Sequence, residues 1–202
     1  MEDDEGAIVV CQRGNKRLLS FGSTLEQSSV LMSMPHYLIH QYTQTMLLGL
    51  LFADGNTGAR RMTLLGLGGG ALAHCLSHYF PESTIAVVEM RQAVIDIAYD
   101  WFDLPRRDNL HVIHDDALHY LSSLEQGTTD IIFSDLYGAE GMAACQTQQA
   151  FINACFRTLS EHGCLVLNFH QKPDEDSALM TAIAALFLSL IHISEPTRPI
   201  LV

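Results

Sequence analysis

Basic residues are scarce in this sequence. It has 11 lysines and arginines against 23 aspartates and glutamates, which gives a formal net charge of −12 at pH 7. A nucleic-acid-binding protein needs a basic face, so this balance argues against a nucleic-acid partner. It is compatible with a cationic small-molecule substrate, although net charge alone indicates such a substrate only weakly.

Cysteine motifs are missing as well. The five cysteines are scattered along the chain, and no C-x-x-C pair occurs. Neither a zinc site nor a disulfide framework is therefore indicated. We expect reduced, mostly buried thiols and a cytoplasmic protein. The cysteines are Cys11, Cys75, Cys145, Cys155 and Cys164.

The sequence also lacks a long apolar run. Met1–Glu5 is acidic and unlike a signal peptide, and Ala178–Ile193 falls short of the ~20 residues that a membrane-spanning helix needs. Part of that run lies in Leu188–Arg198, L-S-L-I-H-I-S-E-P-T-R, which resembles a translated sequencing adaptor. We therefore expect no membrane partner, a native reading frame that stops near Phe187, and a non-native tail over residues 188–202.

Glycines are concentrated in one stretch, Met62–Ala71, which reads M-T-L-L-G-L-G-G-G-A. An apolar run leads into these glycines, and a predicted helix, Leu72–Tyr79, follows at once. Open α/β sheets present small ligands to the backbone through such a strand, glycine turn and helix. Glycine lets ligand atoms approach closely, and a helix N-terminus offers unpaired N–H groups. The turn therefore predicts a site for a nucleoside-bearing cofactor.

Strand and helix patterns alternate from residue 59 to residue 187. This alternation predicts an α/β fold with a Rossmann-like, mainly parallel sheet and helices on both faces. The predicted strands are Met62–Leu67, Ile85–Glu89, Leu110–His114, Ile131–Ser134 and Cys164–Phe169. The predicted helices are Leu72–Tyr79, Gln92–Trp101, Leu118–Leu124, Gln146–Leu159 and Ser177–Phe187.

A separate N-terminal region is predicted over residues 1–58. Residues 6–32 have the character of β structure, with Ala7–Val10 and Arg17–Phe21 forming a hairpin outside the main sheet. A helix is predicted from about His36 to Phe52. The polar loop Ala53–Gly58 marks the boundary with the Rossmann-like domain.

Acidic residues end three of the predicted strands, where a parallel sheet binds its ligand. Glu89 lies about twenty residues past the glycines, a suitable position for a carboxylate that accepts two ribose hydroxyls. Asp116 is a candidate acceptor for an adenine amino group. Asp115 competes with it, and one of the two is expected to cap the following helix. Asp135 would face the reacting centre, where it could hold a cationic amine or orient a nucleophile.

The glycine pattern alone does not identify the cofactor. The spacing Gly66-x-Gly68-x-x-Ala71 also fits a dinucleotide fingerprint, with Glu89 as the ribose acid. Two features favour a nucleoside cofactor over NAD. The third and fourth strands end in acids, and about sixty residues precede the first strand, whereas dinucleotide domains often begin with it.

Taken together, four motifs resemble the spermidine synthase-like branch of class I S-adenosylmethionine-dependent transferases. They read L-L-G-L-G-G-G-A-L-A, A-V-V-E-M, H-D-D-A-L-H-Y-L and D-I-I-F-S-D-L-Y-G, and the resemblance extends over about Leu19 to Phe187. It implies a class I methyltransferase fold, and S-adenosylmethionine or its decarboxylated form as cofactor. It also implies that Gly66, Gly68 and Gly70 line the methionine-derived portion, Glu89 binds the ribose, Asp116 and Ala117 contact the adenine, and Gln27 lies near the cofactor.

This resemblance further implies aminopropyl transfer to a polyamine, with Asp135 and Tyr42 holding the amine, and a dimer is compatible with it. The sequence departs from the family at two acids. Gly69 replaces the acid of the G-G-G-D-G turn, and Gly138 replaces the second acid of D-S-S-D, although Glu140 is near. Methyl transfer to an unknown acceptor and an inactive nucleoside-binding fragment therefore stay open. Family members also continue with two further strands, which this chain is expected to lack.

Two histidine pairs have helical spacing, His36 with His40 and His74 with His78. Such pairs can bind a metal, but no third ligand is nearby in sequence. We interpret them as ordinary helix histidines and predict no metal site.

Overall fold

Two small antiparallel sheets form the beginning of the chain. The computed structural model describes residues 2–22, 27–53, 60–138, 141–169 and 173–187. Strands β1 (Glu2–Asp3) and β2 (Gly6–Ala7) pair with each other. Strands β3 (Val9–Arg13), β4 (Lys16–Ser20) and β5 (Ser28–Leu31) form a three-stranded sheet. The predicted hairpin is present, and β5 adds a strand that the sequence pattern did not indicate separately.

The helix predicted over His36–Phe52 is shorter than expected. Helix α1 covers Gln41–Met46, and a 3₁₀ helix covers Leu47–Leu51. Residues 32–40 are turns instead, because the N–H of Met34 donates to Leu31 and that of Tyr37 donates to Met34. The 3₁₀ segment packs tightly, since a Cβ at Gly49 would lie 2.2 Å from Cγ2 of Val166. Here tertiary packing overrides helix periodicity.

The main sheet has five parallel strands in the order β12-β9-β6-β7-β8. This order confirms the predicted parallel sheet, and the strand that leads into the glycine turn lies at its centre. Within the described residues, β8 and β12 are its edge strands. The five strands are β6 (Arg61–Leu65), β7 (Thr84–Glu89), β8 (Leu110–His114), β9 (Thr129–Ser134) and β12 (Leu159–Leu167).

Helices connect and cover these strands, and a short hairpin follows β9. The helices are α2 (Ala71–Tyr79), α3 (Gln92–Trp101), α4 (Ala117–Ser123), α5 (Gln149–Thr158) and α6 (Ala178–Leu186). The hairpin strands are β10 (Tyr137–Gly138) and β11 (Gly141–Met142), and a 3₁₀ helix (Ala144–Thr147) precedes α5.

Both faces of the sheet are buried, as the apolar strands predict. Neighbouring residues of β6 point to opposite faces. Leu64 packs in one core cluster with residues of α2 and α3, and Leu65 packs in the other with residues of α4, α5 and α6. The site at the strand ends is therefore supported by a core on each side.

Some predicted bounds were wrong near the fifth strand. Strand β12 begins at Leu159 rather than Cys164, because an irregularity between these residues lets it pair with β9 at both ends. The helix predicted over Gln146–Leu159 is divided into a 3₁₀ segment and α5. The predicted tail lies outside the described residues and stays a prediction. None of the helices in the described ranges has both the length and the apolar content needed to cross a bilayer.

Candidate functional site

The glycine turn lies directly against the end of β9. Gly66 has φ = +93°, and a Cβ at this position would lie 2.4 Å from the carbonyl oxygen of Asp135. Only glycine combines that backbone conformation with so close an approach. The N–H of Asp135 donates in turn to the carbonyl of Leu65. The ends of the two strands are therefore fixed relative to each other.

Glu89 ends β7 beside the same turn, and its side chain is buried. One carboxylate oxygen, Oε2, accepts from the backbone N–H of Leu67 at 3.1 Å, and Oε1 accepts from that of Arg91 at 2.9 Å. Burial raises the pKa of this carboxyl, while the N–H donors and the charge of Arg91 oppose the rise. Glu89 therefore connects the strand end to the glycine turn.

Ser28 packs against the glycine turn at Gly68 and Gly69, a contact that the sequence does not predict. Ser28, on β5, is buried, and its Oγ lies 3.0 Å from where a Cβ at Gly69 would be. The ring of Phe102 lies 2.9 Å from the same point. Position 69 therefore has no room for the acid of the family pattern. Gln27 immediately precedes Ser28, and its N–H donates to the carbonyl of Leu19.

The last glycine of the turn begins helix α2. Gly70 is the N-cap residue with φ = +80°, and a Cβ there would lie 2.9 Å from Cδ1 of Leu104. The helix N-terminus therefore has its free N–H groups beside the turn.

Asp116 is the N-cap residue of helix α4, so it is the member of the pair that has the expected capping role. Its Oδ1 accepts from the N–H of His119 at 2.9 Å, whereas Asp115 contacts the imidazole Nδ1 of His119 at 2.7 Å. The N–H of Asp115 donates to the carbonyl of Glu89, which ties β8 to β7 at their ends. Ala117 is buried as the first residue of α4. Asp116 itself is exposed, next to the other strand ends.

Asp135 is held by side chains from two different parts of the chain. Nδ2 of Asn168, just after β12, donates to Oδ1 at 2.8 Å. The hydroxyl of Tyr42, on α1, lies 3.4 Å from Oδ2. Burial raises the pKa of Asp135, and these two hydrogen bonds oppose the rise. The sequence does not indicate that Asn168 contacts Asp135, because the two residues follow different strands.

Tyr137 extends this group. Its hydroxyl lies 3.4 Å from the carbonyl oxygen of Asn168, and burial together with the nearby charge of Asp135 raises its pKa. An open cavity of about 380 Å³ lies beside Phe169, the residue after Asn168. It is lined by Met142, Thr147, Phe169, Pro173, Asp174, Ser177 and Leu179.

The two positions where glycine replaces a family acid, Gly69 and Gly138, differ in the space around them. A Cβ at Gly138 would have no atom within 4 Å, so this position has room for a side chain that the sequence does not supply. Glu140, the nearby alternative, lies outside the described residues. An acid at position 69 would therefore clash with its neighbours, whereas an acid at position 138 would fit.

The four histidines with helical spacing form ring-stacking contacts and hydrogen bonds. His36 stacks on His78, with ring centroids 3.9 Å apart, while Nε2 of the buried His74 lies 2.9 Å from the carbonyl oxygen of Phe102. His40 lies outside the helix, as the N-cap residue of α1, and contacts Ser29. Within the described ranges, no three His, Cys, Asp or Glu side chains are grouped so as to hold a metal ion.

Comparison with solved structures defines the class of fold. A probable spermidine synthase from Corynebacterium glutamicum superposes with a TM-score of 0.78 at 22% identity, over 89% of this chain and 67% of that chain. Human methyltransferase-like protein 13 superposes with a TM-score of 0.66 at 20% identity, over 79% of this chain and 78% of that chain. The chain therefore has the Rossmann-like fold of class I S-adenosylmethionine-dependent transferases.

Sequence comparison is more specific. No protein-family model matches the chain. The polyamine aminopropyltransferase of Neisseria meningitidis serogroup A is 30% identical over 163 residues, which are 80% of this chain and 61% of that protein. The eEF1A lysine and N-terminal methyltransferase of Xenopus laevis is 27% identical over 158 residues, which are 71% of this chain and 23% of that protein. The resemblance to the spermidine synthase-like branch is thus confirmed, and the chain spans less than two thirds of either relative.

Proposed function

We propose that this chain is a transferase that binds S-adenosylmethionine or its decarboxylated form and transfers an aminopropyl group to a polyamine. The observation that carries the proposal is the position of Asp135. Its carboxylate is held by Asn168 and Tyr42, and its backbone closes on Gly66. This arrangement supports the proposal that an amine binds beside a nucleoside.

The residues around the glycine turn fit such a cofactor. Gly66, Gly68 and Gly70 all have a positive φ, which shapes the turn that is proposed to hold the methionine-derived portion, and the N-terminus of α2 adds N–H donors. Glu89 is proposed to accept the ribose hydroxyls, and Asp116 and Ala117 to contact the adenine. Gln27 is proposed to lie near the cofactor, which is supported by its position next to Ser28.

When bound, the cofactor supplies a sulfonium whose neighbouring carbon is electrophilic. Asp135 is proposed to attract the acceptor amine and to accept a hydrogen bond from it, so that the nitrogen lone pair faces that carbon. Tyr42 and Asn168 fix the two carboxylate oxygens and so limit the orientations of the amine. The cavity beside Phe169, whose lining includes Asp174, is proposed to bind the rest of the acceptor.

Methyl transfer is the second candidate function. It is favoured by Gly69 and Gly138, which stand where the aminopropyltransferase pattern has acids. Similarity to the Xenopus laevis eEF1A lysine and N-terminal methyltransferase also supports it. In that case Asp135 would hold the amine of a different acceptor.

Isothermal titration of this chain with both cofactor forms separates the two, followed by assays with amines. Tighter binding of the decarboxylated form and aminopropylation of a polyamine would support the first function. Preference for the carboxylated form and methylation would support the second. Binding without turnover on any acceptor would indicate a nucleoside-binding fragment, and no binding of either form would overturn both proposals.

The cellular location and assembly are also proposals. All five cysteines are free, which supports a reducing compartment such as the cytoplasm. A homodimer is proposed from the resemblance alone.

A further inference from the structure

A buried arginine connects the first residues of the chain to the nucleoside site. Arg91 is 8% exposed, and its guanidinium binds Asp3 through two hydrogen bonds, from Nε at 3.0 Å and from Nη2 at 2.6 Å. Nη2 also donates to the carbonyl of Gly6 at 2.9 Å, and the guanidinium lies 4.8 Å from the centroid of the Phe21 ring. The β1–β2 hairpin therefore supplies the hydrogen-bond partners of this cation.

The same arginine is next to Glu89. Its backbone N–H donates to Oε1 of that side chain, two residues earlier in the chain. Arginine binds carboxylates through two parallel hydrogen bonds wherever geometry allows. A buried guanidinium that lost Asp3 would need a new anionic partner, because an unpaired buried charge is strongly unfavourable. Glu89 is the carboxylate closest to Arg91 along the chain.

We propose that Asp3 is a positioning residue for the nucleoside site, which keeps the guanidinium of Arg91 away from the carboxylate of Glu89. Glu89 then has acceptor capacity free for the ribose hydroxyls. This inference rests on the proposed function, because it assumes that Glu89 binds a ribose. It gives one residue of the acidic N-terminus a specific role. From composition alone, that residue only adds to the net negative charge.

Three variants test the proposal by titration with 5′-methylthioadenosine, which carries the adenine and the ribose but lacks the carboxylate and the amino group of the methionine-derived portion. Asp3→Asn is expected to weaken binding about tenfold, since it releases the guanidinium. Arg91→Met is expected to change binding by less than about threefold, because no cation is left to occupy Glu89. The double variant is expected to bind like Arg91→Met, so removing the arginine rescues the loss.

Asp4→Asn is the matched control, because it removes the same charge from the exposed turn of the same hairpin. It should bind like the unsubstituted chain. The ¹⁵N resonance of the Arg91 Nε–H gives a second readout, which should move in Asp3→Asn without ligand. Thermal unfolding verifies that each variant is folded.

The outcomes separate the possible errors. A double variant that binds as weakly as Asp3→Asn, or more weakly, would show that the hairpin has only a structural role, and would overturn the inference. Equal binding by Asp3→Asn and the unsubstituted chain would also overturn it. Failure of the unsubstituted chain to bind 5′-methylthioadenosine would overturn the proposed function and this inference with it.

Discussion

At the scale of single residues, Asp135 is proposed to serve function while its burial lowers the stability of the fold. Its carboxylate is desolvated, so the pKa is raised above the ordinary 3.8 despite hydrogen bonds from Asn168 and Tyr42. Between the unfolded and folded pKa values, the folded state binds more protons than the unfolded state. Stability therefore falls as the pH rises through that window, and the full cost applies above the folded pKa. Such a cost is typical of groups retained for function.

We predict that Asp135→Asn stabilises the fold at pH 7 and strongly slows transfer. The amide keeps an acceptor oxygen for Asn168 but carries no charge to desolvate. The gain in the free energy of unfolding should shrink as the pH is lowered from the raised folded pKa toward the unfolded value of 3.8, and it should be absent below that value. Urea unfolding at several pH values measures this, and turnover should fall by roughly 10²–10³-fold. A variant that is less stable than the unsubstituted chain at pH 7 would contradict this account.

Gly66 is a second residue whose identity is dictated by its surroundings. We predict that Gly66→Ala lowers the free energy of unfolding by about 3 kcal/mol, because a positive φ costs ~1–2 kcal/mol and the clash with the Asp135 carbonyl adds to it. Gly127→Ala is the control, since Gly127 also has a positive φ, +72°, but open space around its Cβ position. It should cost only about 1–2 kcal/mol. Equal losses in denaturant unfolding would show that the close approach is unimportant.

At the scale of elements, the sequence predicted the bounds of a strand best where turn signals lie on both sides of it. The apolar runs of β6, β7, β8 and β9 are bounded by clear turn signals, and each was located to within two residues. The irregular start of β12 was missed, because Ser160–Gly163 is polar and reads as a turn. Such a segment becomes a strand only when a neighbouring strand is there to pair with it.

Helix starts give a prediction at this scale, because two helices are capped by side chains in the same way. Asp116 accepts from His119 at the start of α4, and Ser177 accepts from Met180 at the start of α6. We predict that Asp116→Ala and Ser177→Ala each cost about 1 kcal/mol of stability. Only Asp116→Ala should also weaken the binding of 5′-methylthioadenosine, since Asp116 is the proposed adenine acceptor.

Asp116→Ser separates the two roles of this residue. Serine is a good N-cap, so stability should be retained. Its shorter side chain should not reach the adenine, so affinity should still fall. If Asp116→Ser bound 5′-methylthioadenosine normally, Asp116 would be a cap and nothing more.

At the scale of the whole molecule, the candidate site combines residues that are far apart in sequence. Tyr42 reaches Asp135 from the N-terminal region, and Ser28 covers the glycine turn from β5. The strand ends themselves could be predicted, because parallel strands bring their carboxyl ends to one edge. The contacts that the N-terminal region makes with the Rossmann-like domain could not be predicted, since no periodicity in the sequence specifies how the two regions pack together. The Asp3–Arg91 pair is invisible in the sequence for the same reason.

The net charge of −12 gives a prediction for the molecule as a whole. A negative surface attracts a cationic acceptor over long distances, and salt screens this attraction, with a Debye length of about 10 Å at 0.1 M. We predict that the KM for a polyamine rises several-fold between about 20 mM and about 300 mM salt, while kcat changes little. The affinity for uncharged 5′-methylthioadenosine should stay constant within about twofold and serves as the control. A KM that is independent of salt would place recognition of the amine in short-range contacts, with Asp135 as the main anion, rather than in the field of the protein.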